Sequence, residues 1–133
     1  MSTITLDIAT ILQDNGFGTI DTDIFTSKDM PPKPDVMTLL TLVPSGKTPF
    51  PGVGIPLEYG GVQIIVREAK GDAQLCESRM VSIKNFLKSI ANYLVNSIEI
   101  VNIMQEPGAS EIGIDPTMRP LYTANFVALK DFS

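Results

Sequence analysis

The residues best suited to chemistry in this chain are its acids. Asp21 and Asp23 stand two apart, with Asp29 and Asp35 close behind. Clustered carboxylates are the raw material of a hard-cation site or of carboxylate acid–base catalysis. Here they fall along a strand and its flank, no pair elsewhere sits on one helix face at metal-ligand spacing, and a solvated acidic edge accounts for them better. The chain has no histidine. That removes Ser–His and Cys–His nucleophile pairs, imidazole bases and most zinc or iron sites. Its single cysteine, Cys76, permits no intrachain disulfide and lies on the apolar stripe of a helix, where a thiol acts as a small core side chain. Gly16-Phe17-Gly18 and Gly52-Val53-Gly54 lack the strand-then-helix setting and the lysine of a phosphate cradle, so they are loop glycines. No enzyme activity, cofactor or metal is expected.

Two arginines remain to be weighed. Arg67 ends an apolar strand just before Glu68, and Arg119 follows Asp115 in a turn-rich segment. Each either closes a local ion pair, worth little when exposed, or offers a bidentate grip to a carboxylate on a neighbouring subunit. The local pairing is the better reading for Arg67, and the two stand level for Arg119.

The elements that must position these residues follow from periodicity. Residues 62–67, Val-Gln-Ile-Ile-Val-Arg, form a strand that is apolar on both faces. Gly71 ends it and Asp72 opens the longest helix, with Ala73, Cys76, Met80, Ile83, Leu87, Ile90 and Leu94 spaced alternately by three and four. Leu75, Val81, Phe86, Ala91 and Tyr93 widen that stripe. A helix of about 22 residues would be roughly 33 Å long and must lie across a sheet. A short helix spans residues 3–15, with Ile4, Ile8, Ile11 and Leu12 on one face, Ser2 or Thr3 as its cap and Asn15-Gly16 as its stop. Residues 21–25 and 36–43 read as strands, separated by the proline-stiffened connector 30–35. Residues 97–105 form a further strand whose alternation slips near Val101-Asn102, the mark of a bulge. Residues 112–120 are irregular, and 121–130 alternate cleanly as the last strand.

Between the second strand and the central one lie residues 44–61, with four prolines and five glycines. A loop of that length in a compact domain is unusual and more often functional or disordered than idle. It carries Phe50, Val53, Ile55, Leu57 and Tyr59, too much apolar surface for a solvated linker. The stretch is an arm or extended hairpin that either packs on another chain or folds back over its own sheet. The expected class is α+β: a single domain over 1–133, with a mostly antiparallel sheet of about four or five strands and one long and one short helix on one face.

The bulk numbers narrow the function. With 133 residues, 44% apolar and 19% charged, the chain is long enough for one layered core and is neither disordered nor fibrous. No apolar run approaches the ~18–20 residues needed to span a bilayer, and no basic flank marks a secretory signal. Net charge is −5 and the ten Lys and Arg are scattered, so a tight grip on nucleic acid is not expected.

Pro56-Leu57-Glu58-Tyr59 leading into the 62–67 strand, then the amphipathic helix, then Gly113-Ile114-Asp115 with Arg119, Tyr122 and Asn125-Phe126 on the closing strand, resembles the small tail terminator proteins of long-tailed bacteriophages, also called minor capsid or tail completion proteins. The likeness runs over residues 20–129, and it lies in the order of short motifs. It implies a helices-on-sheet subunit that assembles into a six-membered ring, caps the finished tail tube and docks the tail to the neck or connector of the DNA-filled head. DNA would pass through the lumen without specific binding, which an acidic subunit allows. The place of action would be the virion tail or neck, after assembly in the host cytoplasm. Gln63, Arg67, Asp115, Arg119, Tyr122 and Asn125 occupy motif positions, with roles in sheet integrity and subunit contact. The Pro/Gly arm is richer than the family pattern. Contacts to other subunits or partners are expected at Phe50, Val53, Ile55, Tyr59, Arg67, Asp115 and Arg119. Other readings are a different neck component, such as a head completion or connector protein, and, further off, a small host binding module or a carboxylate enzyme. The last would need a deep pocket holding close carboxylates.

Overall fold

The structure, a computed structural model, describes residues 3–26, 36–47, 57–105, 111–114 and 118–131. The first helix, α1 (Ile4–Asp14), is capped by Thr3, whose hydroxyl oxygen accepts from the Leu6 N–H at 3.3 Å. It buries Ile4, Ile8, Ile11 and Leu12 as the spacing requires. A turn follows, and then β1 (Ile24–Phe25), β2 (Val36–Lys47), β3 (Leu57–Arg67), α2 (Ala73–Lys88), β4 (Ala91–Val95), β5 (Ile98–Gln105), β6 (Glu111–Ile114) and β7 (Pro120–Asp131).

All seven strands join one sheet in the order β1-β2-β3-β7-β5-β4, with β6 also on β7. Its body is four antiparallel strands, β2, β3, β7 and β5; only the two-residue β1 pairs in parallel. The spine is the β3–β7 ladder, continuous from Leu57↔Asp131 to Arg67↔Leu121. On the other flank of β7, β5 takes residues 126–131 and β6 takes 120–123. The class is α+β, as the pattern implies.

Alternation divides the sheet into two unlike faces. Met37, Leu39, Val62, Ile64, Val66, Ala124, Phe126, Ala128, Ile100 and Ile103 are buried, and both helices pack over them in one continuous core. Phe17, just after α1, meets Phe86 of α2 with ring centroids 5.2 Å apart, so the helices also touch each other. Gly60 makes room for this layer: a Cβ there would come within 2.8 Å of Ile4 Cγ1.

Several expectations need correction. The long helix has 16 residues, not about 22, and ends at Lys88 with Ser89 as its C-cap. Ile90 and Leu94 continue the helical spacing by coincidence: Asn92 takes a left-handed φ of 52°, and residues 91–95 form a strand. Leu94 is 77% exposed, whereas Cys76, Met80, Ile83 and Leu87 are fully buried. Leu75 and Val81 do not widen the stripe, since both are exposed. The strand expected over 21–25 shrinks to Ile24–Phe25, because Asp21 adopts a φ of 70° and residues 21–23 turn. Of the arm or extended hairpin expected over 44–61, only the two flanks fall among the described residues. Residues 44–47 extend β2, residues 57–61 begin β3, and the two strands still pair at Lys47↔Tyr59 beyond an irregularity. Residues 48–56 lie outside the described residues, as does the 30–35 connector. Part of the segment read as irregular is the short strand β6. The expected bulge is present, between Ile100 and Asn102.

Candidate interaction surface

The ionisable groups are best taken first, because a reactive site would be found among them. Asp7 is fully buried on the inner side of α1. Its Oδ1 accepts from Asn96 Nδ2 at 3.0 Å, and its Oδ2 lies 3.9 Å from Lys130 Nζ. Lys130, itself 4% exposed, also lies 3.7 Å from Glu58 Oε1 on the neighbouring strand. A buried charge is tolerable only when paired and hydrogen-bonded. This cluster therefore ties α1 to the β4–β5 turn and to one end of the β3–β7 spine. That turn is two residues long, Asn96-Ser97, both with positive φ, the conformation that matches the twist of a tight hairpin. Asn96 also donates to Thr10 Oγ1 at 3.3 Å.

At the other end of the spine, Glu68 is fully buried and its Oε1 meets Arg79 Nε of α2 at 2.7 Å. Beside it, the Cys76 thiol donates to the Val66 carbonyl at 3.4 Å. Burial first, and the Glu68 carboxylate second, push this thiol up to about 11. It stays protonated at neutral pH, and a protonated, buried thiol is a poor nucleophile. Asp23 has a structural task as well, with its carboxylate accepting from the Thr19 N–H across the turn. Among the described residues no group of three or more acids or cysteines is placed to hold a metal ion. A shallow, open depression lies on the outer side of α2, lined by Gln74, Glu77, Ser78, Val81 and Ser82. These charges act as fasteners of the fold.

The sheet face opposite the helices offers something different. By register it carries Tyr59, Gly61, Gln63 and Ile65 of β3 against Leu129, Val127, Asn125 and Thr123 of β7, then Leu121 at the end. On β5 it continues with Asn102 and Met104, and on β4 with Leu94 beside Glu99. Met104 is 51% exposed. No described helix lies on this face. On β3, β7 and β5 its centre has no charged residue; charges come at its ends, where Glu99 faces Asp131 and where Arg67 closes β3. Asn125 Oδ1 is shielded from solvent yet accepts no hydrogen bond among the described residues.

The expected contact residues divide accordingly. Tyr59 lies on the face opposite the helices and is half-buried; Arg67 is 7% exposed at its end, and Arg119 is half-buried just before β7. Phe50, Val53, Ile55 and Asp115 lie outside the described residues. The register does bring motif residues together: Gln63 stands directly opposite Asn125, and Tyr122 opposite Val66 beside Arg67. Tyr122 packs on the covered face, where Lys84 Nζ sits 5.4 Å from its ring centroid. Sequence reading missed Asp7, Asn96, Glu68 and Lys130. A signal existed for two of them, since Asp7 interrupts the apolar face of α1 and Lys130 falls in phase with Phe126 and Ala128. No family model matches this chain, and no curated protein matches it.

Among the described residues no helix is long and apolar enough to cross a membrane.

Proposed function

We propose that this chain is a structural virion protein, a tail terminator that forms a ring on the end of a phage tail tube and joins the tail to the neck. The observation that carries this reading is the architecture: two helices on one face of a sheet whose body is antiparallel, the build that the resemblance implies, with the motif residues Gln63 and Asn125 paired at the centre of the spine. The occupation of the buried charges in fastening the fold also favours a scaffold over a reagent. Subunit contacts fall to Tyr59, to Arg67 and Arg119 at one end of the spine, to Asp115, and to Phe50, Val53 and Ile55 between β2 and β3 in sequence. The partners are further copies of the chain in a ring, taken as six, together with tail tube protein and a neck or connector protein. DNA crosses the lumen without specific binding, no catalysis takes place, and the protein resides in the tail or neck of the virion.

The test is to add the purified protein to tail tubes lacking their cap and to examine the tube ends by negative-stain microscopy. A ring at one end is expected, and tubes so capped should join filled heads. Deleting residues 48–54, between β2 and β3 in sequence, should leave the circular dichroism spectrum unchanged, since shortening a connection costs little closure entropy, while weakening capping. Bare tube ends at saturating protein would contradict the reading, and binding to heads instead of tails would favour a connector protein.

A further inference from the structure

We propose that the sheet face opposite the helices is a self-association surface, occupied by the same face of a second copy of this chain. The inference does not depend on the tail reading; it comes from the size, composition and polarity of the face. The strands β2, β3, β7 and β5 present roughly 600 Å² there, taking ~3.3 Å per residue along the paired lengths and ~4.8 Å between strands. Two such faces together bury roughly 1,200 Å², the lower end of the range for stable, specific contacts. The composition fits an interface core. Tyr59, Ile65, Leu121, Val127 and Leu129 are half-buried, and the charges stand at the ends. Depletion of charge at the centre with a polar rim is what distinguishes interface cores from ordinary surface.

A two-fold axis through the Gln63–Asn125 pair lays the two charge-free centres against each other. Two twisted sheets packed face to face in this way align within about 30° of each other. Leu94 and Met104, 77% and 51% exposed, extend the apolar margin toward the β4 edge.

The test is light scattering of the full chain after size exclusion over a concentration series, for the wild type and for Gln63→Lys and Thr123→Lys. Each variant places a charge at the centre of the face while leaving the helix-covered core alone. The expected result is a wild-type mass twice that of either variant at the same concentration, a dissociation constant raised about tenfold or more by each lysine, and unchanged thermal unfolding of the diluted chains. Equal masses for all three proteins overturn the proposal. So does loss of folding in both variants, which would mean that the chain's own residues cover the face.

Discussion

Ile64 and Ile65 are consecutive residues of one strand with the same side chain, and they serve opposite purposes. Ile64 is fully buried beneath the helices; Ile65 is half-buried on the face with no described helix. The covered face pays for the fold, and does so well enough to hold Asp7 and Lys130 inside it. The face opposite the helices has no charged residue at its centre. On the self-association proposed above, stability and assembly fall on two sides of a single sheet.

Substitutions should separate the two sides in the same order. The largest effect is expected at the buried charge on the covered face. Lys130→Ala removes the cation beside the buried Asp7 carboxylate and should cost about 3 kcal/mol, read from the urea midpoint, whereas replacing Asp7 by Leu and Lys130 by Met together should cost much less. Next comes the isoleucine pair: Ile64→Ala should cost about 2–5 kcal/mol and Ile65→Ala about 1 or less. Equal losses would erase the distinction between the faces. Smaller still is the effect of alkali on Cys76. Its folded pKa, about 11, lies above the ordinary value of 9.0. As pH rises past 9 the unfolded chain gives up the thiol proton while the folded chain keeps it, so the stability present below pH 9 is lost progressively toward 11. Thermal melts over that window should fall more steeply for the wild type than for Cys76→Ala. The smallest change is a gain. Ser97 is held at a φ of 67° in the β4–β5 turn, so Ser97→Gly should raise stability by about 0.5–1 kcal/mol in the same denaturant assay.

Much of the fold was legible because periodicity reports burial. Thr3 capping α1, the stripe Cys76-Met80-Ile83-Leu87 and the slip at Val101 each have a local cause that can be read from spacing. The end of α2 was not legible, because Ile90 and Leu94 keep the helical rhythm while the left-handed Asn92 turns the chain. The two-residue β1 and the short β6 owe their pairing to neighbours distant in sequence, which no local pattern records. The candidate surface was only partly readable. Tyr59 and Arg67 could be singled out by type, but that Gln63 and Asn125 meet depends on the register of β3 with β7, set by the whole spine. The fasteners Glu68–Arg79 and Asp7–Lys130 join elements far apart in the chain, and their pairing appears only once those elements are packed.

Hydroxyl-radical footprinting of the full chain, compared between dilute and concentrated solution, addresses the division of labour most directly. Protection on concentration is expected at Tyr59, Ile65, Met104 and Leu129 on the face opposite the helices, with Leu75 and Val81 on the outer side of α2 unchanged. Protection confined to Leu75 and Val81, or none at either place, would contradict it.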